Sequence, residues 1–284
     1  MRCPLWVPSE EYKRQANVTK FIDSVNKEYN LQIDTYHQLY NWSIENISDF
    51  WAAVWKFGEI KASRRYEVVV DNLSKFPGAK WFIGASLNFA ENLLRYNDAH
   101  EAFMFKGETQ KSKKMTYAEL HNSVARLAKA LREIGVIAGD RVVAYMPNLT
   151  ETAIAMLAAT SIGAIWASCG AELGPRAVLD RFGQIQPKVL FTVNGYYYKG
   201  KTFSVLSNAE EVAKGISSLK KAIVIPYVEE NPDISSIPKS VLYDEFISQK
   251  TSGELRFEQL PFDHPVYIMF SSGTTGKPKC MVQG

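Results

Sequence analysis

The chain has 284 residues, with 33 Lys plus Arg against 30 Asp plus Glu and 46% hydrophobic residues, a composition that supports a buried core and excludes a disordered or collagen-like polymer. That length suggests one or two domains. The formal charge of +3 is too slight to recruit nucleic acid or an anionic membrane surface, so neither is expected as a partner, and oligomeric state is left open.

The opening stretch MRCPLWVPSEEYKRQ puts charges and two prolines where a secretory leader would carry an apolar core, and it is too acidic for a transit peptide. A cytosolic location is therefore expected. Further on, Ile47, Phe50, Trp51, Val54 and Trp55 recur at i, i+3, i+4, i+7 and i+8, one apolar face of a helix. Such an aromatic stripe supplies area for packing rather than a platform for a ligand. FIGASLNFAENLL closes this Trp-rich segment, and the polar run KGETQKSKK from Lys106 to Lys114 is expected to be a solvated turn.

From Thr116 onward helices and strands alternate. Thr116 and Glu119 form a capping box, followed by Tyr117, Leu120, Val124, Leu127, Leu131 and Ile134 at helical spacing, with Gly135 at the C-cap and a turn at Gly139 and Asp140. RVVAYM, Arg141 to Met146, is then a short buried strand. A second capping box of Asn148 and Glu151 is expected before the helix ETAIAMLAATSIG, and AIWAS, Ala164 to Ser168, is the next strand. Pro175 opens a third helix through RAVLDRFGQIQ, and KVLFTV and AIVIP are further strands. Glu229 to Gly253 is expected to be a looser connection before the final strand VYIMF, Val266 to Phe270.

The apolar stretch from Ala153 to Cys169 is too short and too interrupted for a membrane span. The fold class expected is α/β, a mostly parallel sheet with helices on both faces, preceded by the Trp-rich helical segment. Ligands of such sheets bind at the carboxyl ends of the strands. Three scattered cysteines, Cys3, Cys169 and Cys280, and four histidines, His37, His100, His121 and His264, offer no disulfide framework and no metal-ligand spacing, so no structural metal is expected.

The richest chemistry lies at the end, where the last strand runs into SSGTTGKPK, Ser271 to Lys279. Gly273 and Gly276 are free to take conformations closed to other residues, so that successive NH groups converge on an anion. Ser271, Ser272, Thr274 and Thr275 add hydroxyl donors, and Lys277 and Lys279 add charge. The whole reads as a phosphate cradle. It is not a Walker A loop, because only two residues separate the glycines and Pro278 follows Lys277.

The loop resembles that of the AMP-forming acyl-CoA synthetases and related adenylating enzymes. Their pattern runs from two positions of Ser, Thr or Gly through Gly, Ser or Thr, and Thr, Ser or Glu, to Gly or Ser. A free position, a Pro or aliphatic residue and a Lys complete it, and SSGTTGKPK meets every specified position. YNWSIENISDFWAAVWKFGEI, SLNFAENLL, GDRVVAYMPN, Ala158 to Trp166, LDRFGQIQPKVLF and HPVYIMFSSGTTGKPKCMV all resemble the acetoacetate-using branch of that family, so the likeness spans roughly residues 36 to 284.

The resemblance implies an N-terminal helical segment over residues 1–98 and part of an AMP-binding domain over 99–284. It also implies a ligation in two steps, in which acetoacetate and ATP, with Mg²⁺, give an acyl adenylate that the thiol of CoA then attacks. Ser271, Ser272, Gly273, Thr274, Thr275, Gly276, Lys277 and Lys279 are the phosphate-binding candidates, although an ion pair holding the loop is an equal reading of Lys279. Cys280 is expected to pack. Lys201, in YYYKGK, stands where the family carries an Arg near the nucleotide end of CoA, and a lysine offers charge there without a bidentate fork. The family's adenine, Mg²⁺ and acyl-pocket motifs and its adenylation lysine lie beyond Gly284. The chain is therefore expected to be an N-terminal portion without ligase activity of its own. A ligase of acetate or propionate, and a non-catalytic nucleotide-binding product, are the alternatives.

Overall fold

A computed structural model describes residues 5–108, 112–248, 254–271 and 276–284. The chain divides into two compact units, Met1–Ala85 and Ser86–Gly284.

The first unit is built from helices Glu10–Gln15, Asn17–Tyr29, Tyr36–Glu45 and Ile47–Phe57, followed by an antiparallel pair of strands, Val68–Val70 and Trp81–Ile83. Thr35 and Gln38 close a capping box at the start of the third helix. Phe21, Val25, Ile33, Leu39 and Ala53 form its core. In the aromatic stripe Trp55 is buried and lies 4.8 Å from Phe82 between ring centroids, whereas Trp51 stays 40% exposed while its ring meets Trp81 edge-on. Packing explains both, and no ligand platform is needed.

The second unit is an α/β layer structure. After a short helix, Phe89–Leu93, its helices are α1 (Tyr117–Glu133), α2 (Thr150–Ser161), α3 (Pro175–Ile185), α4 (Leu206–Gly215) and α5 (Tyr243–Ser248). Its main sheet has strands β1 (Arg141–Tyr145), β2 (Ile165–Cys169), β3 (Val189–Val193), β4 (Lys221–Ile225), β5 (Ser240–Leu242), β6 (Tyr267–Ser271) and β7 (Lys279–Gln283). These lie in the order β5-β4-β3-β1-β2-β6-β7, all neighbours parallel except the final hairpin. The strand order reverses direction between β1–β2 and β2–β3, so crossovers of the usual right hand put α2 on one face and α3 with α4 on the other; α3 packs on α4, α1 and α5 pack together, and α1 packs on α2. All five residues of β3 are buried, as a central parallel strand covered on both faces requires. Gly163, at φ +82°, lets the chain turn from α2 into β2 where a Cβ would lie 2.7 Å from Leu260 Cδ1.

Thr116 and Glu119 form their box as the spacing predicts. The second box does not form: α2 is capped at Leu149 without a side-chain bond, because Thr150 Oγ1 donates to the Glu151 carboxylate and Lys113 pairs with it at 3.3 Å. The connection expected to be loose contains β5 and α5. Their signal is weak in sequence because an edge strand of three residues, only half-buried, carries little periodicity. Among the described residues no helix is long and apolar enough to cross a membrane.

Candidate functional site

Strand β6 reaches the carboxyl edge of the sheet at Ser271, and β7 starts back from that edge at Lys279. The two residues are Cα partners in the antiparallel ladder, so the connecting loop rises from a closed hairpin. On its other side β6 meets β2 at one registered pair, Tyr267 with Trp166, at the amino-terminal end of β6. The chain leaves β2 through α3 towards β3 and leaves β6 in the opposite direction towards β7. Neighbouring parallel strands whose connections diverge in this way create a crevice outside their carboxyl ends, where open α/β sheets take their ligands.

Of the candidate phosphate-binding residues, Ser272, Gly273, Thr274 and Thr275 lie outside the described residues. Ser271 is half-buried at the end of β6, and Gly276, Lys277 and Lys279 are exposed. Gly276 has no left-handed φ, and among the described residues a Cβ there would meet nothing within 4 Å. Cys280, expected to pack, is exposed: all five residues of β7 are, and among the described residues this strand has a sheet neighbour on one side only.

Helix α3 lies against this loop. It starts with Pro175 at its first turn, and Phe182 faces inward, fully buried, with its ring 6.3 Å from that of Phe270 on β6. On the loop side Lys277 Nζ stands 3.9 Å from Asp180 Oδ1, and Gln184 Nε2 donates to the Pro278 carbonyl at 2.9 Å. Residues 180 and 184 share a helix face by their spacing of four. Neither was singled out in the sequence, where i, i+4 polar residues on a helix look like any solvated face. At the end of β2 Cys169 is buried, and burial above all, opposed by Arg181 and aided by Glu172, pushes its thiol up to about 11. Such a thiol is held protonated and is a poor nucleophile.

Lys201 is placed well away in sequence, at the start of Lys201–Ser204, which pairs with Gly195–Tyr198 as a hairpin. Its two turn residues, Lys199 at φ 51° and Gly200 at φ 73°, are both left-handed, as a type I′ turn requires. Their NH groups donate to the two carboxylate oxygens of Glu108 at 3.1 and 2.8 Å. Lys201 itself is exposed beside them. The turn thus has the convergent NH groups of an anion site, but a carboxylate of the same chain already accepts from them. Glu108, like Asp180 and Gln184, carries no signal in the sequence that singles it out.

Among the described residues no group of three or more His, Cys, Asp or Glu is arranged to hold a metal ion.

The family model of AMP-binding enzymes matches residues 89–283, and that of the acetyl-coenzyme A synthetase N-terminus matches residues 36–93. The chain is 46% identical to the acetoacetyl-CoA synthetase of Macaca fascicularis, over 98% of this chain and 42% of that protein. It is 41% identical to the acetoacetyl-coenzyme A synthetase of Rhizobium meliloti (strain 1021), over 98% of this chain and 43% of that protein. The solved structure of acetoacetyl-CoA synthetase from Streptomyces lividans superposes with a TM-score of 0.92 at 37% identity, covering 99% of this chain and 43% of that one. The chain spans less than half the length of these relatives.

Proposed function

The chain belongs to the AMP-binding enzyme family, and from that footing we propose that the whole protein is an acid–thiol ligase that joins acetoacetate to CoA at the expense of ATP. In the first step a carboxylate oxygen of acetoacetate attacks the α-phosphate, the bond to the β,γ-pyrophosphate breaks, and an acyl adenylate forms. In the second the CoA thiol, giving up its proton, attacks the acyl carbon and AMP leaves. Neither step needs a protein nucleophile, only oriented donors and positive charge where phosphoryl oxygens gain charge.

One observation carries the reading: SSGTTGKPK joins β6 to β7 at the carboxyl edge of the sheet, beside the crevice between β2 and β6. Here the NH and hydroxyl groups of Ser271, Ser272, Gly273, Thr274, Thr275 and Gly276 are assigned to the β- and γ-phosphates, with the charges of Lys277 and Lys279. Mg²⁺ enters as part of the ATP complex, and no step is assigned to a metal held by the described residues, which offer no ligand cluster. Lys201 is offered as a charge towards the nucleotide end of CoA, a weaker assignment because Glu108 takes the turn NH groups beside it. The cytosol is the compartment proposed, from the absence of a disulfide pattern among the three cysteines of the sequence.

The test is calorimetric titration of the purified chain with ATP·Mg²⁺ and with pyrophosphate, alongside Gly273→Ala and Lys279→Ala. Binding that is lost in Gly273→Ala supports the assignment. Absence of binding, or binding that both variants leave unchanged, removes it. On the complete protein, a panel of acetoacetate, acetate and propionate in acid-dependent pyrophosphate exchange decides the acid.

A further inference from the structure

The second leg of the loop, Gly276 to Lys279, has no ladder partner before Lys279, where β7 begins. Pro278 has no NH to offer a ladder, while its carbonyl oxygen accepts a hydrogen bond from a donor outside the loop. Gln184 supplies it. The amide Nε2 has two hydrogens, and both are engaged: one bond runs to the Pro278 carbonyl at 2.9 Å and the other to the Asp180 carbonyl within α3 at 2.6 Å. The side chain is therefore held by its own helix while it holds the loop. Phe182, on the inner face of the same helix, packs against Phe270 on the strand that leads into the loop, so one helix touches both legs.

One turn earlier on the outer face, Asp180 faces Lys277. Their separation of 3.9 Å is at the limit of an ion pair, and the side chains are 34% and 74% exposed. A pair so long and so wet contributes little. A polyphosphate, with several charges in the same neighbourhood, outcompetes one carboxylate for the ammonium group. The arrangement keeps Lys277 close to the loop without committing it.

We propose that α3 is the clamp of this loop: Gln184 is a positioning residue acting through the Pro278 carbonyl, and Asp180 is the resting counter-ion that Lys277 leaves when a polyphosphate arrives. The second half rests on the assignment of the loop to phosphate binding; the first does not.

The experiment uses the full 284-residue chain and inorganic pyrophosphate as the probe, with amide hydrogen exchange of residues 276–283 measured in parallel without any ligand. Asp180→Asn should tighten pyrophosphate binding about twofold at low ionic strength, and the gain should vanish at high salt and in a Lys277→Gln background. Gln184→Met should weaken it by about two- to twelvefold, the range for one lost hydrogen bond. It should also speed exchange across 276–283 while leaving β1 to β5 unchanged, and Gln184→Arg, which restores a donor, should slow that exchange again. Equal tightening by Asp180→Asn with and without Lys277 would mean a general field effect and overturn the counter-ion role. Unchanged exchange in Gln184→Met overturns the clamp. If the unaltered chain takes up no pyrophosphate, the phosphate assignment and the counter-ion role fall together, and the exchange data alone decide the clamp.

Discussion

Ser271 and Lys279 face each other as the last pair of the β6–β7 ladder, with Phe270 opposite Cys280 as the next pair behind them. Two posts fixed in register confine the loop between them far more than a free linker of the same composition would be. The candidate phosphate loop thus connects the two strands of a hairpin at the edge of a mostly parallel sheet, and its position at the carboxyl edge follows from the antiparallel return of β7.

Phe182 is where that support is most exposed to damage. The side chain is fully buried, and it sits between α3 and β6. Phe182→Ala removes a large aromatic from a packed site, at a cost of about 3–5 kcal/mol. That is a large share of the roughly 5–15 kcal/mol by which domains are stable. Urea unfolding should show a lower midpoint with an unchanged slope, whereas Gln184→Met, at the exposed surface, should move it by no more than about 1 kcal/mol. A fall for Phe182→Ala below about 1 kcal/mol would contradict the packing described.

The two expected capping boxes give a paired prediction, since only one exists. Thr116 accepts from the Glu119 NH and the Glu119 side chain returns to the Thr116 NH, but Asn148 makes no cap bond to α2. Thr116→Ala should therefore cost about 0.5–2 kcal/mol, while Asn148→Ala, an exposed substitution away from any such feature, should stay within about 0.5 kcal/mol. Equal losses in thermal unfolding would show that the Asn148 cap forms in solution.

Strands β1, β3 and β4 were legible because they are buried on both faces and read as unbroken apolar runs. Helix α1 was legible from its cap to Gly135, since local chemistry and tertiary burial agree there. The Asn148 box misled because the spacing of Asn148 and Glu151 is only a local signal, and Lys113, far away in sequence, pairs with the same carboxylate. β5 was missed because its three half-buried residues lie at the sheet edge. In the site, the loop was legible as a pattern of residue types. Asp180, Gln184 and Glu108 were not, because each acquires meaning only through a partner from 91 to 97 residues away in the chain. Such pairings leave no periodicity to read.

The Lys199–Gly200 turn depends on one of those partners. Lys199 is left-handed without being glycine, a conformation that costs roughly 1 kcal/mol, and the Glu108 carboxylate offsets it by accepting from both turn NH groups. Glu108→Ala should raise amide exchange at Lys199 and Gly200 several-fold without changing β3. It should also improve binding of adenosine 3′,5′-bisphosphate if the turn takes a phosphate at all. Exchange that stays slow at both amides would place the stabilisation of the turn elsewhere.

The two described cysteines should behave oppositely. Cys280 is exposed on β7, and Cys169 is buried with its thiol pushed up to about 11 from the usual 9.0. In a Cys3→Ser background, iodoacetamide at pH 8 should modify Cys280 in the native chain and Cys169 only after urea is added, because both access and thiolate content are lacking at the second site. The same shift has a consequence for stability. The folded state holds the Cys169 proton more tightly than the unfolded chain does, so the stability this contributes is present below the ordinary thiol pKa and is lost as pH rises from about 9 towards about 11. The fall in unfolding free energy over that window should be smaller in Cys169→Ala than in the unaltered chain, whatever the other groups titrating there contribute to both. Rapid native labelling of Cys169, or pH profiles that run parallel, would show that β2 opens at its carboxyl end far more readily than its buried setting allows.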